Sequence, residues 1–144
     1  MKNFCAVLVG LCAVISSVYA FDRAQAEEMA KEILTICKDS EGGSDDDFNT
    51  LIKFDYPTTS VGNCMVACAH EKIGLFNDGK FMKDNFITFA KMATNDDPKY
   101  VDLAIEIANK CDNIEGPRCE QAINFNKCLE AEAKAKNIKK LDIL

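Results

Sequence analysis

The sequence has no tryptophan, a single histidine and no N-x-[ST] sequon among its 144 residues. No sequence pattern around this one imidazole identifies a Ser/His/Asp catalytic set. A zinc site at Cys64, Cys68 and His70 would need a fourth ligand and thiols kept reduced. The missing sequon means that the surface need not carry N-glycans. We therefore expect a protein that is not an enzyme and that holds no metal and no cofactor.

The acidic stretches also lack the pattern of a calcium loop. In an EF-hand count from Asp39, position six is Ser44, where glycine is needed, and position twelve is Thr50, where glutamate is needed. A secreted phospholipase, the nearest enzymatic alternative, would need a glycine-rich calcium loop and paired cysteines before its histidine. Here His70 is followed by Glu71, and the spacing in CMVACAH departs from that motif.

Long apolar runs are absent after the first twenty residues. The run from Phe4 to Ile15 is followed by small residues and by Val18-Tyr19-Ala20, which fits a signal-peptide cleavage site. This run is too short to span a membrane. We expect residues 1–20 to be a secretory signal peptide and residues 21–144 to be one secreted, extracellular domain.

Positive charge is scarce, with 17 basic residues against 23 acidic ones. The one basic stretch is KAKNIKK at residues 134–140, near the end of the chain. Proteins that bind the phosphate backbone need a basic surface, so the composition excludes a nucleic-acid partner.

What the chain does contain is helical periodicity throughout the expected mature region. No alternating strand pattern and no internal repeat stand out, so we predict one all-α domain of about six helices. Turn and capping signals separate these helices, notably Ser44 before three aspartates, Ser60, NDGK at 77–80, TNDDP at 94–98 and Pro117. The predicted helices cover residues 24–37, 44–52, 60–73, 82–93, 98–111 and 117–129.

Eight cysteines are present, and two of them, Cys5 and Cys12, belong to the expected signal peptide. An even number in a small exported chain predicts three disulfides, because the extracellular space is oxidising. Cys64 and Cys68 lie on one face of a helix and are expected to reach separate segments, tying that helix to two others. Six cysteines allow fifteen pairings, and geometry alone does not choose among them. The remaining cysteines are Cys37, Cys64, Cys68, Cys111, Cys119 and Cys128.

The spacing of these six cysteines resembles that of the insect odorant-binding proteins, the six-cysteine pheromone and general odorant-binding family. Successive cysteines are separated by 26, 3, 42, 7 and 8 residues. The gaps of three and eight match the most constant gaps of that family, and the gap of seven is at the short end of its pattern. The resemblance covers the whole expected mature chain. It implies the pairs Cys37–Cys68, Cys64–Cys119 and Cys111–Cys128, around an apolar cavity.

The resemblance also directs the choice of ligand-binding residues. Phenylalanine and methionine suit a pliable apolar pocket, and residues on the helices and turn that surround the family's cavity are the candidates. An alternative for each of them is a place in a solid core. Tyr56, Asn85, Thr88 and Tyr100 are candidates for a polar contact that would give selectivity. The predicted pocket residues are Met65, Leu75, Phe76, Met82, Phe86, Phe89, Ile107 and Phe125.

Two further roles are expectations of the same kind. His70 could be a solvated helix residue or a pH switch that loosens the pocket when acid protonates it, since some family members release ligand in acid. The tail KNIKKLDIL, residues 136–144, could fray or could lay its apolar residues over the pocket as a lid.

The resemblance implies a secreted carrier of small hydrophobic molecules, odorants or pheromones, that delivers them through sensillar lymph to an olfactory receptor at the neuron membrane. One alternative is a carrier of lipids, hormones or amines in haemolymph, saliva or reproductive fluid. Another is a structural or inhibitory secreted domain without a cavity. The expected partner is a small hydrophobic volatile or lipid, and the sequence leaves open whether the chain forms a homodimer.

Overall fold

The computed structural model describes residues 23–138, so the expected signal peptide and residues 139–144 lie outside the described range. That range contains six helices and one short hairpin, which confirms the predicted all-α class. The elements are α1 (Arg23–Glu41), α2 (Asp45–Ile52), α3 (Ser60–Lys72), β1 (Phe76–Asn77), β2 (Lys80–Phe81), α4 (Lys83–Ala93), α5 (Pro98–Lys110) and α6 (Arg118–Ala135).

The start of α2 is fixed by the predicted capping residue. The Ser44 hydroxyl accepts a hydrogen bond from the Asp47 backbone N–H at 3.1 Å, and the Asp47 carboxylate accepts one from the Ser44 N–H at 3.0 Å. This reciprocal capping box satisfies two backbone donors that a helix terminus otherwise leaves without partners. Upstream, α1 ends where Gly42 takes a φ of 72°, a conformation that favours glycine.

Two helix starts differ from the prediction by one residue. Thr59, rather than Ser60, caps α3, because the Thr59 side chain accepts a hydrogen bond from the Gly62 N–H at 2.8 Å. Pro117 occupies the capping position of α6 and not its first turn. At α5 the predicted signal holds, since Asp97 caps the helix and Pro98 is its first residue.

The turn predicted at residues 77–80 closes a two-stranded antiparallel hairpin in which Phe76 pairs with Phe81. Asp78 and Gly79 both have positive φ, 49° and 73°, which suits the two-residue turns that join such strands. Strands of two residues are too short to leave an alternating pattern, so the sequence indicated the turn but not the strands.

Three disulfides hold the helices together, and they are the pairs that the resemblance implies. Cys37–Cys68 joins α1 to α3, and Cys64–Cys119 joins α3 to α6. The two cysteines four residues apart on α3 thus reach different helices, as their spacing predicts. The remaining bridge, between Cys111 at the end of α5 and Cys128 on α6, closes a shorter loop.

The core consists of two clusters. The first lies between α1, α2, α3 and α6 and includes Leu34, Leu51 and the fully buried Met65. The second is aromatic and surrounds Phe125, whose ring centroid lies 5.1 Å from that of Phe76 and 4.6 Å from that of Phe81. Both clusters include residues of α6, which therefore connects them. None of the helices in residues 23–138 is long and apolar enough to cross a membrane.

Candidate functional site

A cavity of about 720 Å³ lies between α1, the segment that joins α2 to α3, α3 itself and α6. Its size is within the range of roughly 300–1,000 Å³ that is usual for small-molecule sites. It is partly open to solvent. The lining residues are Ala30, Ile33, Leu34, Leu51, Phe54, Asp55, Tyr56, Pro57, Val66, Ala69, His70, Ile73, Leu75, Ile123, Asn126, Leu129, Glu130, Ala133, Lys134 and Ile138.

The helices present mainly apolar side chains to this space because of their periodicity. On α3, Val66, Ala69 and Ile73 recur at intervals of three and four residues and line the wall. The face of α6 that lines the cavity begins at Ile123 and ends at Lys134. Such a wall can bind a ligand by excluding water from apolar surface, with no need for a reactive group.

The mouth of the cavity is formed by exposed residues of the segment between α2 and α3 and of α6. Phe54 and Tyr56 are 40% and 37% exposed. The Tyr56 hydroxyl donates a hydrogen bond to the Glu130 carboxylate at 2.6 Å, which connects the segment to α6. Partial burial and the neighbouring Glu130 carboxylate both raise the pKa of Tyr56, so its hydroxyl keeps its proton at neutral pH. Lys134 lies at the same rim.

Deeper in the wall lies His70, which is 8% exposed. Burial lowers the pKa of His70 to about 4, although a hydrogen bond with Asn126 and the charge of Glu71 act in the opposite direction. The ring stacks on Phe76 at a centroid distance of 5.6 Å. Its Nδ1 atom is buried and has no hydrogen-bond partner among the described residues. His70 is therefore a neutral, buried residue, unlike the solvated helix histidine that the sequence also allowed.

The structure places the eight predicted pocket residues in three environments. Leu75 lines the cavity. Met65 is in the first core cluster, and Phe76, Phe86, Ile107 and Phe125 pack in or against the second. Met82 and Phe89 are 36% and 37% exposed.

The lining of the cavity therefore differs from the predicted set in seven of eight positions, because most of the chosen side chains pack against one another in the core. The side chains that line the cavity are mostly aliphatic. The binding role of the predicted residues stays a prediction.

Of the four predicted polar candidates, Tyr56 alone is on the cavity wall. The Asn85 amide donates to the Gly74 carbonyl at 2.8 Å, and the Thr88 hydroxyl donates to the Asp84 carbonyl at 2.8 Å. Asn126 was not among the candidates, yet it lines the cavity. A signal for it was present, since Asn126 lies three residues after Ile123 and three before Leu129, on a stripe that is otherwise apolar.

The structure also bears on the zinc site that Cys64, Cys68 and His70 could have formed. Both Cys64 and Cys68 are oxidised in disulfides, so their sulfurs cannot act as thiolate ligands. Within residues 23–138, no group of three or more His, Cys, Asp or Glu side chains is arranged to hold a metal ion. Of the predicted lid, residues 136–144, the part from 139 to 144 lies outside the described residues, while Ile138 lines the cavity.

Comparison with known proteins agrees with this architecture. General odorant-binding protein 28a of Drosophila melanogaster is 32% identical over 120 residues, which cover 81% of this chain and 84% of that protein. The solved structure of odorant-binding protein dmelOBP28a from the same organism matches with a TM-score of 0.66 at 30% identity, over 81% of this chain and 97% of that one.

Two more distant structures share the fold alone. The fatty acid binding protein OBP56a from the oral disk of the blowfly Phormia regina matches with a TM-score of 0.67 at 22% identity, covering 80% of this chain and 96% of that one. A pheromone binding protein from the cockroach Leucophaea maderae, in complex with the fluorescent reporter ANS, matches with a TM-score of 0.61 at 22% identity, covering 76% and 97%.

The model of the PBP/GOBP family matches residues 20–132, which is most of the chain. Together with the helical frame, the three disulfides and the relatives above, this match shows that the chain belongs to the PBP/GOBP family of odorant-binding carrier proteins.

Proposed function

We propose that the protein is a secreted carrier that binds small hydrophobic molecules in the cavity between α1, α3 and α6. It would carry odorants or pheromones through aqueous sensillar lymph to olfactory receptors. The observation that supports this proposal is the cavity of about 720 Å³ with a mainly aliphatic wall. The secreted form is expected to begin after Ala20, which mass spectrometry of the exported protein would test.

The energetics of such a wall favour moderate and broad binding. Burying a ligand of about ten carbons contributes roughly 8 kcal/mol at about 0.8 kcal/mol per CH₂. Association costs several kcal/mol of lost translational and rotational freedom, so the net affinity should be in the micromolar range. An aliphatic wall discriminates weakly between ligands of similar size.

The test is displacement of ANS by volatile alcohols and esters from the refolded mature chain. Ala133 is buried and lines the cavity, so Ala133→Phe should place a ring in the ligand space and reduce ANS binding by tenfold or more. Ala131 is exposed on the same helix and is not on the wall, so Ala131→Phe is the matched control. Equal ANS binding by the two variants would contradict the proposed site.

The second candidate is a carrier outside the sensory system, for lipids, hormones or amines in haemolymph, saliva or reproductive fluid. It is favoured by the fold neighbour from the oral disk of the blowfly, which is named a fatty acid binding protein. Both candidates use the same cavity, so ligand binding does not separate them. Localisation of the transcript to antennal sensilla would support the olfactory role, and restriction to glands or fat body would support the alternative.

A further inference from the structure

Asn126 is a polar residue on the apolar face that α6 turns to the cavity. Ile123 precedes it by three positions, and Leu129 and Ala133 follow it by three and seven, so the four residues share one side of the helix. All of them line the cavity. Burying an amide without partners costs free energy, so an apolar residue would be the expected occupant of this position. The amide therefore needs hydrogen-bond partners.

The imidazole of His70 on α3 lines the same wall, and its interaction with the Asn126 side chain counteracts part of the pKa lowering that burial causes. His70 is buried, stacked on Phe76 and edge-on to Phe125, so its ring is held on two sides. His70 and Asn126 thus form a polar pair in a wall that is otherwise mainly aliphatic.

A single imidazole can engage only one end of an amide, which carries both an acceptor oxygen and a donor NH₂ group. The imidazole therefore leaves at least one end of the amide available, and the NH₂ group of Asn126 can donate to a ligand oxygen in the cavity that the residue lines.

The other neutral polar side chain at the rim is already engaged. Tyr56 donates its hydroxyl hydrogen to Glu130 at 2.6 Å. Lys134 is a second donor, but it is exposed at the rim, so a ligand oxygen inside the cavity would find its donor at Asn126 and not at the tyrosine hydroxyl.

We propose that Asn126 is a specificity-determining residue that donates a hydrogen bond to an oxygen atom of the ligand. The cavity then favours ketones, aldehydes, esters and alcohols over hydrocarbons of the same shape. This inference rests on the proposed carrier function and adds a ligand class to it. The selectivity arises because a hydrocarbon would leave the amide without a partner, whereas an oxygenated ligand restores the bond that water made.

The test compares two ligands with one carbon skeleton, pentylbenzene and valerophenone (1-phenylpentan-1-one), which differ by a carbonyl oxygen. Each is titrated against the ANS complex of wild type and of Asn126→Leu. The measured quantity is the ratio of the two dissociation constants in each protein. The difference in water solubility between the ligands contributes equally to this ratio in wild type and in the variant, so it cancels when the two ratios are compared. We expect Asn126→Leu to reduce the preference for the ketone by roughly three- to tenfold, the range for one hydrogen bond. Pentylbenzene binding should be retained.

Asn124→Leu is the matched control, since Asn124 is exposed on the same helix and is not on the cavity wall. It should leave the ratio unchanged. If Asn126→Leu does not fold, wild type and Asn126→Ala give an independent answer through the infrared carbonyl band of bound, ¹³C-labelled valerophenone. A donated hydrogen bond shifts this band to lower frequency than in an alkane solvent.

The outcomes separate the inference from the function on which it rests. A reduced ratio in Asn126→Leu alone supports the role of Asn126, as does a shifted carbonyl band in wild type that returns toward its alkane position in Asn126→Ala. An unchanged ratio, or a carbonyl band at its alkane position, overturns that role while leaving the carrier function intact. Failure of both ligands to displace ANS from wild type overturns the carrier function, and the inference with it.

Discussion

The buried imidazole of His70 makes the stability of the fold depend on pH in a way that can be calculated. The pKa of this group is lowered from 6.5 to about 4 in the folded protein, chiefly by burial. Because the folded pKa lies below the unfolded one, the unfolded chain binds the proton first as the pH falls. Stability is therefore lost from about pH 6.5 downward, and the loss is complete once the pH is below about 4.

The magnitude follows from the two pKa values. The full shift corresponds to about 3 kcal/mol, and about 2 kcal/mol of this is lost between pH 7 and pH 5. At pH 5 only about a tenth of the folded molecules carry a charged His70. The predicted role of His70 as a pH switch stays a prediction, but the burial of the ring places its titration in the folded state below pH 5. Acid would act on this residue mainly by favouring unfolding.

The assay is urea denaturation of wild type and His70→Phe at pH 7, 6 and 5, with disulfides intact. The substituted ring can still stack on Phe76, and it cannot titrate. Acidic groups elsewhere affect both proteins alike, so the difference between the two pH dependences isolates the imidazole. Wild type should lose about 2 kcal/mol more than the variant between pH 7 and 5. Parallel stability curves, or an NMR titration of His70 near 6.5, would refute the reasoning.

Three further predictions concern the frame that holds the cavity. Asp47 is buried, and its carboxylate accepts hydrogen bonds from Ser44 in the cap of α2 and from Thr59 in the cap of α3. Asp47→Ala should therefore lower the free energy of unfolding, measured by urea denaturation, by about 2–3 kcal/mol. Asp46→Ala, at an exposed position, should lower it little. Gly62→Ala should lower the melting temperature, despite alanine's better helix propensity, because its Cβ would lie 2.5 Å from a proline Cβ and 2.9 Å from the Asp47 carboxylate. Replacing Cys64 and Cys119 by serine removes the disulfide that closes a loop with a sequence separation of 55, and should lower the free energy of unfolding by about 4 kcal/mol. Unchanged stability would mean that this disulfide is absent from the refolded chain.

The helices could be predicted because their signals are local. Ser44 and Asp97 cap helices at the predicted places, since a capping residue acts on backbone groups only two or three positions away. The cap of α3 is Thr59, one residue before the predicted Ser60, whereas Pro117 is itself the cap of α6, so that helix begins one residue later than predicted. In each case two adjacent residues are suitable, and the surrounding structure decides which of them is used.

The cavity wall was harder to predict, because periodicity shows which residues share a face but not what that face contacts. Phe125 and Asn126 are neighbours on α6, yet successive side chains on a helix are about 100° apart. Phe125 is fully buried in the aromatic cluster, and Asn126 lines the cavity. The rotation of α6 about its own axis separates these two environments, and that rotation is set by packing against α3 and by the disulfides.

The division between the two environments also explains why there is a cavity at all. The large rings pack around Phe125, where edge-to-face contacts fill space efficiently. The helices that wall the cavity present alanines at three places, Ala30 on α1, Ala69 on α3 and Ala133 on α6. Two disulfides join these same three helices and oppose their collapse into the space that short side chains leave. The cavity is thus specified by the absence of large side chains at particular positions, a feature that a search for large apolar residues passes over.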